Sequence, residues 1–180
     1  MSTEPRVAPG TWRQTGPFVA AFAYAAGRVA GTESPAVFRT LGRNRGLFWG
    51  WLHFAGRMMP GGRLPRRESE LLILRVATAC GSDYELAQHR TLARRAGLTK
   101  DEIARVEAGG LDGWDPADRT LLAAADELLA TEDLSDDGWA ALVADHDERT
   151  AIEIVMIVAH YRMLATALRT FRVQPDRPRS

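Results

Sequence analysis

The chain has 180 residues, 46% hydrophobic and 26% charged, which is enough for one domain with a continuous core and too apolar for a disordered chain. Lys plus Arg and Asp plus Glu both number 23, so no net field is available to hold a polyanion and no nucleic-acid partner is expected. One cysteine, Cys80, forbids an internal disulfide and fits a reducing, cytoplasmic setting better than a stapled secreted scaffold.

Residues 1–16 contain Pro5, Pro9, Gly10 and Gly16 and read as an irregular arm without the basic start and apolar run of an export signal. No stretch supplies the roughly 20 apolar residues of a bilayer span, so no membrane association is expected. From Pro17, the apolar residues Phe18, Phe22, Ala25 and Val29 recur at helical steps. Ser34 and Pro35 predict an N-cap and first position for a short helix ending near Gly42. A third helix is expected over 45–59, stopped by Pro60, Gly61 and Gly62.

Pro65 opens a helix that is apolar almost all round from Leu71 to Ala79, so it is expected to be buried on most sides. Gly81 ends it, Ser82 opens the next helix and Gly97 closes that one, which folds 65–97 into a tight antiparallel hairpin. Thr99 with Glu102 spells a capping box, and Asp115–Pro116 and Ser135 open two further helices. The last helix is expected over 147–171. Its segment from Ile154 to Ala159 has strand propensity, but the length of the apolar pattern favours helix. The expectation is an all-α bundle of about eight helices, a single domain over 17–173 and a frayed tail at 174–180.

In the second arm of the hairpin, positions 85, 86, 89, 92, 93 and 96 form the inward stripe, while Gln88, Arg94 and Arg95 lie outside it. Glu85 and His89 therefore share a face turned toward the core. On the first arm Glu70 lines up with Ile73, Leu74 and Ala77. Counted from the Gly81 turn at 1.5 Å per residue, Glu70 lies roughly 16 Å back and His89 roughly 12 Å forward, so their side chains can meet. Two carboxylates and an imidazole in an apolar setting suit a proton relay, because desolvation raises a carboxyl pKa toward neutrality. An equally concrete structural reading makes Ser82 and Glu85 a capping box, pairs Glu70 with Arg66 or Arg67, and leaves His89 as a core histidine.

The stretch LPRRESELLILRVATACGSDYELAQHRTLARRAGLTKDEI resembles the carboxymuconolactone decarboxylase superfamily, which includes the alkyl hydroperoxidase D-type peroxidases. The likeness is strong over 64–107, and the flanking WDPADRTLLAAADELL and AHYRML extend it over most of the chain. The peroxidase motif is a Glu, a Cys-x-x-Cys and a His, and those positions are Glu70, Ser82, Glu85 and His89 here. Both cysteines are replaced, so the attacking and resolving thiols of disulfide cycling are missing. The relay position before the second cysteine is Tyr84.

The decarboxylase pattern Glu-Leu-x-x-His is matched by Glu85-Leu86-Ala87-Gln88-His89. The resemblance implies an AhpD-like fold, an acid/base enzyme of lyase or isomerase type needing no cofactor, a small organic acid or lactone as substrate, and a homo-oligomer from dimer to hexamer. It implies catalytic roles for Glu70, Tyr84, Glu85 and His89. The competing expectations are a non-catalytic oligomeric scaffold and, least favoured, a thiol peroxidase working through Cys80.

His53 and His160 are candidate substrate-binding residues, each with a structural alternative. Trp49, Trp51, Phe54, Met58 and Met59 could supply one apolar wall. The four histidines form no H-x-x-x-H or H-E-x-x-H pair, so no metal site is expected.

Overall fold

The computed structural model describes residues 4–177, which form ten helices with no strand among the described residues. The arm expected to be irregular contains one helical turn, α1 (Trp12–Thr15), where Gln14 Oε1 accepts from the Thr11 N–H at 3.0 Å. Then follow α2 (Pro17–Ala30), α3 (Ala36–Leu41) and α4 (Arg45–Met58). The hairpin arms are α5 (Arg66–Ala79) and α6 (Asp83–Arg95), followed by α7 (Lys100–Ala108), α8 (Pro116–Thr131), α9 (Asp136–Asp145) and α10 (Glu148–Phe171). The Thr99–Glu102 capping box forms at α7 as its spacing predicts.

α5 is the axis of the bundle and packs against α6, α7, α8 and α10. Leu71, Leu72, Ile73, Leu74, Val76 and Ala77 are all fully buried, which is the physical meaning of its all-round apolar sequence. Two cores result. Leu72, Ile73 and Val76 face Ile154, Ile157 and Leu168 of α10, Leu121 and Ala125 of α8, and Leu142 of α9. Leu71 and Leu74 face Ala93, Ile103, Val106, Trp114 and Leu122.

The ambiguous segment from Ile154 to Ala159 is helical. At 24 residues, with an 18-residue stretch of mean hydropathy 1.5, α10 is long and apolar enough to cross a bilayer by length and composition; half of that stretch is buried inside the bundle.

The hairpin turn follows from two residues. Gly81 takes φ +60°, and the Ser82 N–H reaches back to the Ala77 carbonyl at 2.8 Å, a Schellman closure that satisfies an end carbonyl of α5. The two arms then run antiparallel in close contact, which brings Glu70 opposite His89.

At α3 the expected local cap is replaced by a remote one. Pro35 stands at the N-cap position with no capping side chain, and the Ala36 N–H donates to Asp176 Oδ1 at 2.8 Å. The tail expected to fray is thus held at Asp176, which also accepts from Tyr84 Oη at 2.6 Å and Gln88 Nε2 at 2.8 Å. Residues 178–180 lie outside the described residues.

Candidate active site

Glu70 is fully buried on α5, and both of its oxygens face a cationic or proton-donating group. His89 Nδ1 lies 2.7 Å from Oε2, and the Arg66 guanidinium lies 2.6 Å from Oε1 in an ionic contact that falls short of hydrogen-bond geometry. With Glu70 accepting, His89 is the Nδ1–H tautomer and Nε2 is its other, unprotonated nitrogen. The expected pairing of Glu70 with an arginine of its own helix is made by Arg66. Arg67 instead grips Asp118 through two 2.8 Å hydrogen bonds and also reaches Glu102.

One turn before His89, Glu85 is 2% exposed, and neither of its carboxyl oxygens has a hydrogen-bond partner. Burial pushes its pKa up to about 7, against weaker lowering by the nearby Ser82 hydroxyl and by His89. The Ser82–Glu85 capping box does not form. Ser82 makes no side-chain capping hydrogen bond, whereas Thr99, Asp115, Ser135 and Asp147 each accept from a backbone N–H three residues on. The Schellman turn commits the Ser82 N–H backward, and the Glu85 side chain is left facing inward instead of capping.

Glu85 and His89 open onto a cavity of about 600 Å³ between α2, α3, α4, α6 and α10. Its wall is mainly apolar and aromatic, with Phe22, Phe38, Trp51, Met58 and Tyr161 prominent, and its polar groups are Arg66, Tyr84, Glu85, Gln88, His89 and His160. Glu70 is not on this wall; it sits behind His89.

Tyr84 reaches the wall but its hydroxyl is engaged, donating to Asp176 and accepting from the Val37 N–H at 3.1 Å. Burial foremost, then the Asp176 charge, holds its phenol pKa above the usual range. Its place is that of a fixed neutral group bracing α6 against α3 and the tail.

His160 is 3% exposed, lines the cavity and has both ring nitrogens without partners. Burial pushes its pKa down to about 4. The structure does not bring His53 to the site: it is exposed on α4, about half a turn around from Trp51, Ala55 and Met58, which face the cavity. Of the proposed apolar wall, Trp51, Met58 and Met59 are present, and Trp49 and Phe54 are not.

The helical stripe left Gln88 outside, yet it is half-buried, lines the cavity and bonds Asp176. No group of three or more His, Cys, Asp or Glu residues placed to hold a metal ion occurs among the described residues. Cys80 is half-buried at the end of α5, and burial pushes its thiol pKa up, away from the reactive thiolate.

The all-α bundle built around this antiparallel hairpin is an AhpD-like fold. Residues 45–127 match the carboxymuconolactone decarboxylase family, which supports assigning the chain to the superfamily that joins these decarboxylases to the AhpD-like proteins. No protein of curated function matches the sequence. Among solved structures, it is similar to an alkylhydroperoxidase AhpD core, peroxidase-related protein from Ralstonia eutropha JMP134, with TM-score 0.81 and 19% identity over 94% of this chain and 93% of that one. A peroxidase-related protein from Silicibacter sp. TM1040 aligns with TM-score 0.83 and 14% identity, over 98% and 95% of the two chains. The debrominase Bmp8 aligns with TM-score 0.79 and 20% identity, over 97% and 94%. At these identities the likeness establishes the fold.

The raised Glu85 carboxyl has a consequence for stability. It titrates near 7 in the folded chain against 4.5 for an unperturbed side chain, so the folded state binds more protons between those values and stability falls as pH rises through that window. Glu85→Gln removes this loss, on the order of 3 kcal/mol at full deprotonation. Thermal melts should show the variant gaining several degrees on the wild type at pH 8 relative to their difference at pH 4.5. An identical difference at both pH values would contradict the assignment.

Proposed function

We propose that the chain is an acid/base enzyme of the carboxymuconolactone decarboxylase type, using no cofactor, that decarboxylates, isomerises or otherwise shifts a proton on a small organic acid or lactone. The observation that carries this reading is Glu85: a buried carboxyl with both oxygens unpartnered, on a cavity wall beside a histidine whose other nitrogen is fixed by Glu70.

His89 Nε2 takes a proton from a substrate C–H or O–H, and the imidazolium so formed is stabilised by the Glu70 carboxylate, itself held by Arg66. Glu85 in its protonated form returns a proton at a second carbon in an isomerisation. In a decarboxylation, the electron pair of the broken C–C bond remains on the substrate as CO2 departs, and Glu85 protonates that carbanion. A carboxyl pushed up to about 7 holds a transferable proton at neutral pH and is reprotonated readily from solvent. Tyr84, engaged on both sides, acts by holding α6 in place.

The scaffold reading expects a filled cavity and a Glu85 that caps its helix, whereas the cavity of about 600 Å³ and the uncapped Ser82 support an enzyme. Self-association belongs to the proposal. Ile152, Met156 and Met163 form an exposed apolar stripe on α10, with Trp139 and Val143 exposed on the adjacent α9, and a second copy would cover them. Light scattering after size exclusion is expected to give a mass at least twice that of the 19.8 kDa chain, and a monomer would remove this part of the proposal.

Activity is tested by incubating a panel of unsaturated carboxylic acids and lactones in D2O and following deuterium incorporation and CO2 release. Turnover of a responding compound should fall about 10²- to 10⁴-fold in His89→Ala with the helical circular dichroism intact. The wild-type rate should decline as pH climbs through 7 and Glu85 loses its proton. Turnover that survives His89→Ala would sink the mechanism, and turnover lost in Cys80→Ser would replace it with thiol chemistry.

A further inference from the structure

His160 takes no part in the proton transfers assigned to Glu85 and His89, yet it is the more exceptional of the two cavity histidines. Its ring stacks on Trp51, with centroids 6.2 Å apart and planes 18° apart, and meets the edges of Phe54 at 5.5 Å and Tyr161 at 5.2 Å. The aromatic groups fix its orientation and offer it no hydrogen bond. His89 packs against the same Tyr161 ring, also at 5.2 Å, so one side chain contacts both imidazoles. His89 spends one nitrogen on Glu70, whereas His160 keeps a donor and an acceptor unpaired on a buried cavity wall.

Leaving such groups unpaired is costly, and a polar ligand atom brought alongside relieves the cost. Desolvation keeps the ring uncharged, with its pKa pushed down to about 4. The wall around it is apolar, so the fitting partner is a neutral oxygen and not a carboxylate. The aromatic side chains that line the cavity, Phe22, Phe38, Trp51 and Tyr161, favour a flat molecule over a branched chain.

We propose that His160 is a specificity-determining residue that hydrogen-bonds a neutral hydroxyl or carbonyl oxygen on a planar ring compound bound in the cavity, while Glu85 and His89 face its reacting carbon. The proposal rests on the cavity being a substrate site. It is therefore tested by binding, without turnover, using 4-ethylphenol and its oxygen-free analogue ethylbenzene as probes in calorimetric titrations.

The wild type is expected to bind 4-ethylphenol about tenfold more tightly than ethylbenzene. In His160→Phe, which keeps a ring against Trp51 and Phe54, that preference should shrink to within about twofold. As a check needing no variant, the His160 ring nitrogen resonances of 15N-labelled wild type should shift with 4-ethylphenol and stay in place with ethylbenzene. Equal binding of the two probes by the wild type, or a preference unchanged in His160→Phe, overturns the role of His160 alone. Binding of neither probe overturns it together with the reading of the cavity as a substrate site.

Discussion

The site depends on one constraint: α5 is buried around its whole circumference while carrying charged side chains. A buried charge is tolerated only when partnered, because its desolvation is otherwise uncompensated. Arg75, 4% exposed, meets the condition by pairing with Asp126 and donating to the carbonyls of Val106 and Gly109 at the end of α7. Glu70 meets it with Arg66 from its own helix and His89 from the facing one. The Glu70–His89 bond therefore fixes the register of α6 against α5. Once that register is set, Glu85 one turn earlier falls on the cavity wall, and Tyr84 and Gln88 fall within reach of Asp176.

Two pairs of like residues acquire different characters from their surroundings. Glu70 is held on both oxygens, whereas Glu85 is desolvated and unpartnered, so the second is the one whose proton is available near neutral pH. His89 is oriented by a carboxylate and His160 by aromatic rings alone, which is why the proposed reading gives the first the part of base and the second that of an uncharged recognition group. Both imidazoles meet the same Tyr161 ring.

Much of this was legible in the sequence, because the governing signals are local. Apolar periodicity located the later helices, the Gly81 punctuation defined the hairpin, and axial rise alone allowed Glu70 and His89 to meet. The one-turn α1 was hidden by its flanking Gly and Pro residues, and the facing of His53 depended on the rotation of α4 about its axis, which a mixed aromatic sequence does not specify. Ser82–Glu85 and Thr99–Glu102 carry comparable capping patterns, yet only the second caps. Both follow a Schellman turn, but Ser82 is itself the residue whose N–H closes that turn, whereas Leu98 closes it before Thr99 and leaves the Thr99 N–H free for Glu102. Asp176 is the clearest non-local case: nothing in QPDRPRS indicates that its carboxylate caps α3, 140 residues away, and braces Tyr84 and Gln88.

The central claim is that the hairpin presents a desolvated, proton-bearing Glu85 to the cavity. Its most direct test is a pH titration of the Glu85 side-chain carboxyl by 13C NMR in the intact protein. A midpoint near 7 is expected, and a midpoint near the ordinary 4.5 would contradict the desolvated placement of Glu85.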